Sequence, residues 1–237
     1  MRTGSNAAHD DRLADGMRQQ RALIAEAESD GAEQHGWKAG FGAPAARERF
    51  ELDAPLVGAL LDRTRLDPGV AVPIGTWRDA RAEAEIAVLM GADVAGGATG
   101  AQAISAVAAL APAIELVDLH PAPATPSEAL ASNIFHRHWI TGEFTVVTGE
   151  WDVSDLVADI SAMGADLDPV DDVTALTGDA GETLAEIARI GARQGRGLRR
   201  GDVVILGAIV PPVPVTAGGA FRFALSGHAP IAVDLID

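Results

Sequence analysis

Two strand-length apolar runs in this chain carry glutamates at positions where a buried strand should carry none. The first, Glu83-Ala84-Glu85-Ile86-Ala87-Val88-Leu89-Met90, stops at Gly91; the second, Ala113-Ile114-Glu115-Leu116-Val117, brings Glu115 thirty residues after Glu85. In a strand the side chains of i and i+2 share a face, so Glu83 and Glu85 present two carboxylates side by side. Like charges that close are unfavourable unless something neutralises them or one of them takes a proton. A carboxylate flanked by aliphatics, as at Glu115, is costly to bury unpaired. A divalent cation answers both problems, and an all-oxygen donor set favours Mg2+, Mn2+ or Ca2+ over zinc. A strand–helix–strand unit, with its helix over 101–110 and its second strand over 113–119, could bring Glu115 beside the pair. The competing reading leaves Glu83 and Glu85 on the solvated face of an edge strand.

The charge pattern narrows the partners. With 34 acidic against 18 basic residues, the chain has a formal charge of −16. No basic stripe is available to nucleic acid or to an anionic membrane. The absence of cysteine excludes disulfides, thiolate nucleophiles and cysteine-based metal sites. Of the 18 basic residues only Lys38 is a lysine, and it sits in Gly36-Trp37-Lys38-Ala39-Gly40. An arginine is a permanently charged fork, whereas a lysine is a compact ammonium that can be tuned by burial. Lys38 could therefore bind a substrate carboxylate or shuttle a proton. The first residues lack the apolar segment of a secretory signal, and the most apolar long stretch, 101–119, is broken by Gln102, Pro112, Glu115 and Asp118. A soluble cytoplasmic protein is the expectation.

Apolar periodicity predicts a helix over 9–28, a turn or short strand over 36–44 where glycines mark a close backbone approach, and a second helix over 45–51. Residues 144–148 and 151–153 read as a hairpin around Gly149. Asp179 is the expected N-cap of a helix running to 194, with Gly195 as its stop. Strands over 201–210, 221–225 and 231–236 close the chain. His136 and His138 are two apart, so in a strand they would share a face. The arginines at 196, 199 and 200 follow a helix C-terminus, where cations offset the dipole. The 237 residues read as a single α+β domain, with a helical segment over 1–35 packed on a catalytic part over 36–237.

Taken together, Gly36-Trp37-Lys38-Ala39-Gly40-Phe41, Glu83-Ala84-Glu85-Ile86-Ala87, Ala113-Ile114-Glu115-Leu116-Val117-Asp118 and Gly201-Asp202-Val203-Val204-Ile205 with Pro211-Pro212-Val213 resemble the fumarylacetoacetate hydrolase superfamily. The resemblance is to its 2-keto-4-pentenoate hydratase / 4-oxalocrotonate decarboxylase branch and covers roughly residues 30 to 235. It implies a mixed β-roll with peripheral helices, assembled as a homo-oligomer. It implies Mg2+ or Mn2+ on Glu83, Glu85 and Glu115, an active-site lysine at Lys38, and an acidic site residue at Asp62. The substrate implied is a small 2-oxo or 2-hydroxy-2,4-dienoic acid of aromatic catabolism, with hydration as the reaction. Decarboxylation of a 2-oxo acid and C–C hydrolysis of acylpyruvates are the alternatives, and an oxo-acid-binding protein without activity is the non-enzyme reading. Two segments depart from the branch. Where hydratases carry an Asp-Asn-Ala-Ser-Ser-Gly-like stretch, this chain has Ser132-Asn133-Ile134-Phe135-His136-Arg137, so Asn133 and a bulkier His136 are the expected substrate contacts. Leu206-Gly207-Ala208 replaces Thr/Ser-Gly-Ser and puts Leu206 in place of a hydroxyl.

Overall fold

The computed structural model of the chain describes residues 11–148 and 152–237. In chain order these form α1 (Asp11–Ser29), β1 (Gln34–Gly40), α2 (Pro44–Phe50), β2 (Leu56–Leu61), β3 (Arg65–Leu66), β4 (Ala71–Pro73), β5 (Ala80–Met90), α3 (Gly100–Ile104) and β6 (Val107–Asp118). The second half continues with α4 (Pro126–Ala131), β7 (His136–Thr141), β8 (Thr145–Val146), β9 (Ala158–Ala162), β10 (Ala165–Asp166), α5 (Ala180–Arg193), β11 (Val203–Ala208), β12 (Val213–Pro214), β13 (Ala220–Leu225) and β14 (Ile231–Ile236).

The larger sheet runs β2-β1-β11-β5-β6-β7-β3, with β12 added to β5 and β8 to β6. Its two edge strands, β2 and β3, are joined by nothing more than the 3-10 turn Asp62–Thr64. Laid flat, six strand spacings would separate the edges by about 29 Å. Four residue steps span at most about 14 Å. The sheet must therefore curl until its edges meet. The seam is fastened by Trp139 on β7, whose indole N–H donates to the Leu61 carbonyl at 2.9 Å. Asp62 holds the turn itself: its Oδ1 accepts from the amides of Glu33 at 2.9 Å and Arg63 at 2.7 Å, and its own amide donates to the Glu33 carbonyl. The expected α+β fold with a mixed, rolled sheet is what forms.

A second sheet, β10-β9-β13-β14-β4, packs β13 and β14 across β6. The core between the sheets takes Ile86, Val88, Ile114, Leu116, Val204, Phe221 and Phe223, and α5 adds Leu184 and Ile187. Asp179 caps α5 by accepting from the Glu182 amide at 2.7 Å, as its position predicts. On the other side α1 packs on α4, with Leu13 against Ala129 and Leu130. Among the described residues no helix is long and apolar enough to cross a membrane.

Two local expectations change. The Ala-rich stretch 101–110 is helical only over α3, which Thr99 opens with a capping box to Gln102; from Val107 the chain is already strand. An Ala-rich run suits either state, and pairing with β5 along its whole length decides it. β5 and β6 are consequently direct antiparallel neighbours with a short helix in their connection. Thr145–Val146 pairs with β6, and Val153–Asp155 is a 3-10 turn capped by Asp152; Gly149 and Trp151 of the expected hairpin lie outside the described residues.

Strand β1 is pinned from both sides, antiparallel to β2 and parallel to β11. Arg196, which follows α5, does more than face a helix end. Its guanidinium grips Asp202 with two bonds of 2.8 and 2.7 Å, donates to the Gln34 carbonyl at 2.7 Å and lies 5.6 Å over the Trp37 ring. Gly36 is where β1 meets β11 most tightly, since a Cβ there would stand 1.8 Å from the Val203 carbonyl oxygen. Gly36→Ala is expected to cost about 1–3 kcal/mol through overpacking against backbone. Denaturant melts against wild type check this, and an unchanged midpoint would contradict the close approach.

Candidate metal centre

Glu83 and Glu85 project from β5, and Glu115 stands directly opposite Glu83 on β6. The three carboxylates each offer an oxygen within 4.8 Å of the others, so the group could hold a metal ion. Glu85 and Glu115 are buried and Glu83 is half-buried. Ala87, Ala113 and Ile205, on the same face, give the cluster an apolar floor.

Lys38 reaches this group only because the sheet is curled. β1 and β6 are three strands apart, about 14 Å in a flat sheet. Here the Lys38 ammonium makes a close ion pair with Glu115 Oε1 and also donates to the Ile134 carbonyl at 3.3 Å. Its aliphatic stem crosses β2 at Gly58, where a Cβ would come within 2.8 Å of Lys38 Cγ. The lysine is 1% exposed.

Glu115 Oε1 has a second donor. His136 is hydrogen-bonded to it through Nδ1 at 2.7 Å, and the far ring nitrogen, Nε2, lies 3.0 Å from the Thr64 hydroxyl oxygen. The other carboxylate oxygen, Glu115 Oε2, is buried with no hydrogen-bond partner. Glu85 Oε2 accepts the Gly207 amide at 2.9 Å. Burial and the charge of Glu115 push the Glu83 carboxyl up to about 8. The same causes, with Glu83 added, drive Glu85 well above the carboxylate range. Burial pulls Glu115 upward too, but Lys38 and His136 outweigh it and hold Glu115 low. Burial lowers His136 despite its bond to Glu115. An orphaned buried oxygen in an all-carboxylate group whose members resist ionisation together is the situation a hard divalent cation relieves, so these residues fit one.

The histidine pair departs from simple alternation. Leu116 pairs with His138 but Val117 pairs with His136, so Arg137 is an extra residue in β7. This bulge turns His136 onto the face of Glu115 and leaves His138 stacked on Trp77 at 6.0 Å. The segment before it is held in the left-handed region at three successive side-chain-bearing residues, Asn133, Ile134 and Phe135, with φ of 53°, 57° and 60°. Such a run persists only where its surroundings over-determine it. Asn133 does that: Oδ1 accepts from the Ala59 amide at 2.8 Å and Nδ2 donates to the Ala59 carbonyl at 2.9 Å. The run delivers the Ile134 carbonyl to Lys38.

The sequence-derived site thus divides. Glu83, Glu85, Glu115, Lys38 and His136 converge. Asn133 spends its amide on the β2 backbone rather than on open space, and Asp62 spends its carboxylate on the seam turn. Leu206 points to the opposite face of the sheet, into the main core, because its neighbours Ile205 and Gly207 are the ones on the carboxylate side. Three participants escaped the sequence reading: Thr64, the Gly207 amide and the Ile134 carbonyl. A glycine inside a strand hints at a close approach for Gly207; the other two carry no local signal. Behind His136 opens a groove of about 820 Å3, lined among others by Thr64, Trp77, Phe135, Arg137 and His138.

Protons and a cation compete for this cluster. Between 4.5, the ordinary value, and about 8, the folded chain holds a proton on Glu83 that the unfolded chain has lost. Metal-free stability should therefore fall as pH rises through that window, and cation affinity should rise over the same span. Thermal melts at acidic, neutral and alkaline pH, with chelator or with Mg2+, read both effects. A metal-free melting temperature that climbs across the window would contradict the assignment.

No family model matches the chain. Among curated proteins it is 29% identical over 205 residues to a 4-oxalocrotonate decarboxylase of a Pseudomonas species, covering 86% of this chain and 79% of that one. It is also 29% identical over 195 residues to a 2-keto-4-pentenoate hydratase of Burkholderia vietnamiensis, covering 81% and 74%. Among solved structures, the 4-oxalocrotonate decarboxylase of Pseudomonas putida G7, complexed with magnesium and adipate, superposes with a TM-score of 0.87 at 23% identity, over 94% of this chain and 86% of that one. The fumarylpyruvate hydrolase of Pseudomonas aeruginosa, with Mn2+ and pyruvate, reaches 0.67 at 18% identity over 84% and 88%. The motifs around Lys38 and the three glutamates thus sit in the expected fold, and in sequence the chain is similar to 4-oxalocrotonate decarboxylases and 2-keto-4-pentenoate hydratases.

Proposed function

We propose that this chain is a divalent-cation-dependent lyase acting on a small 2-hydroxy-2,4-dienoate or 2-oxo acid, as in aromatic-compound catabolism, with hydration as its reaction. The observation that carries the reading is the convergence of a buried lysine on three carboxylates that retain one orphaned oxygen. Glu83, Glu85 and Glu115 would hold Mg2+ or Mn2+. When bound, the cation supplies the positive charge that lets a substrate carboxylate and its adjacent 2-oxygen approach three glutamates, and it stabilises charge developing on that oxygen. Lys38 is the buried ammonium of the centre, and its role is to hold and return a proton as the substrate passes between enol and keto forms. Ile134 and Glu115 fix where that proton stands. The apolar floor and the burial of Lys38 keep bulk water from competing.

Decarboxylation is the second reading, and the placement of Asp62 favours it. Addition of water needs a proton removed at one point and delivered at another, and Asp62 is the acidic residue the resemblance offers beside Lys38. With Asp62 committed to the seam, Lys38 remains, and a reaction that releases CO2 and returns one proton asks no more than that. The relatives include both activities. C–C hydrolysis draws less support, because His136, the base it would use, is bonded at both ring nitrogens.

A panel of 2-hydroxydienoates, 4-oxalocrotonate-like oxo acids and acylpyruvates, assayed for hydrated product, CO2 and cleaved acid, separates the three. Activity should vanish with chelator and return with Mg2+ or Mn2+; full turnover in chelated protein would end the proposal. Lys38→Met should lower turnover by about 10²–10⁴ while cation binding persists. Binding of cation and oxo acid without turnover on any substrate would instead mark a binding protein.

A further inference from the structure

We infer that His136 is the positioning residue of the cation site, fixing one oxygen of Glu115 so that the other is aimed at the ion. The inference rests on the assignment of Glu83, Glu85 and Glu115 as cation ligands. An ionised carboxylate only accepts hydrogen bonds, so the 2.7 Å contact makes His136 Nδ1 the donor to Glu115 Oε1. Lys38 donates to the same oxygen. Both donors therefore crowd onto Oε1, and Oε2 is left buried and unbonded in a carboxylate that offers an oxygen within 4.8 Å of Glu83 and Glu85. A carboxylate so loaded on one oxygen offers the ion a single donor atom rather than a bidentate pair.

The ring is itself held. Its side chain is 2% exposed, and with the ring proton on Nδ1 the far nitrogen, Nε2, accepts from the Thr64 hydroxyl at 3.0 Å, whose oxygen lies 2.9 Å from the Leu61 carbonyl. Thr64 belongs to the seam turn, so the orientation of the glutamate is referred through the imidazole to the point where the sheet closes. The bulge at Arg137 exists on the strand that carries this histidine, and it is what turns the ring toward Glu115. Outer partners that orient a ligand in this way are typically worth about 10–100-fold in metal affinity.

The test titrates Mn2+ into the full chain by calorimetry and counts the water molecules on the bound ion by pulsed electron paramagnetic resonance. His136→Ala should weaken Mn2+ binding about 10–100-fold and reduce the bound waters, because Glu115, held at Oε1 by Lys38 alone, can swing to close on the ion with both oxygens. His136→Asn, which restores an amide donor near the place of Nδ1, should recover most of the affinity and the water count. A purely structural role would lower the melting temperature without moving the water count. If wild type binds Mn2+ and His136→Ala binds it equally well with the same waters, the positioning role is wrong and the cation site stands. If wild type binds no Mn2+, the cation assignment fails and this inference falls with it. Should His136→Ala not fold, Thr64→Val decides: it removes only the hydroxyl behind the ring, and an unchanged affinity and water count overturn the inference.

Discussion

The turn Asp62–Thr64 imposes the geometry on which the rest depends. Because it allows only four residue steps between the first and last strands of the larger sheet, that sheet cannot stay open. Its concave face then gathers side chains from strands that a flat sheet would hold far apart. Lys38 on β1 and Glu115 on β6 touch across two intervening strands for this reason. Thr64, within the turn, touches His136, so closure and centre share a residue. The seam is built from backbone amides accepted by Asp62 at the surface and a buried indole N–H given to Leu61, the one of these bonds that is expensive to leave unmade.

Concentrating charge in that concavity runs against what a core prefers. A buried ion pair gains little over apolar packing, and removal of one partner leaves an uncompensated charge worth about 3–5 kcal/mol. Lys38, Glu85 and Glu115 are all nearly inaccessible. Three carboxylates against one ammonium is not a balanced set, which is why two of the three are driven toward their protonated forms. Structure of this kind is a functional cost: the centre is the place where the protein forgoes stability to keep oxygens poised, while Phe221, Phe223, Leu184 and Ile187 on the opposite face restore it.

How far these features could be read from the chain follows from their range. Glu83 and Glu85 announce themselves because strand periodicity is two and local, and Glu115 because a carboxylate among aliphatics is conspicuous. Lys38 stands out through composition. The Ala-rich 101–110 stretch reads equally as helix or buried strand, since alanine suits both, and only pairing with β5 settles it. Strand alternation would give His136 and His138 like surroundings, but one inserted residue sends His136 to Glu115 and His138 to Trp77, and no residue type signals a bulge there. Asp62, Asn133 and Leu206 enter by resemblance alone, and what each side chain bonds or packs against depends on which strands become edges and which face turns inward. Those are properties of the closed sheet, invisible in any window of neighbouring residues.

The burial of Lys38 has one more consequence. Every other cationic side chain is an arginine, so the protein's outer surface offers no side-chain primary amine at all. Reagents that acylate side-chain amines, and enzymes that tag lysines, would find none in this chain unless the roll opens. The single ε-amine is thereby a built-in reporter: its rate of covalent labelling measures how often the closed sheet breathes enough to expose its own centre.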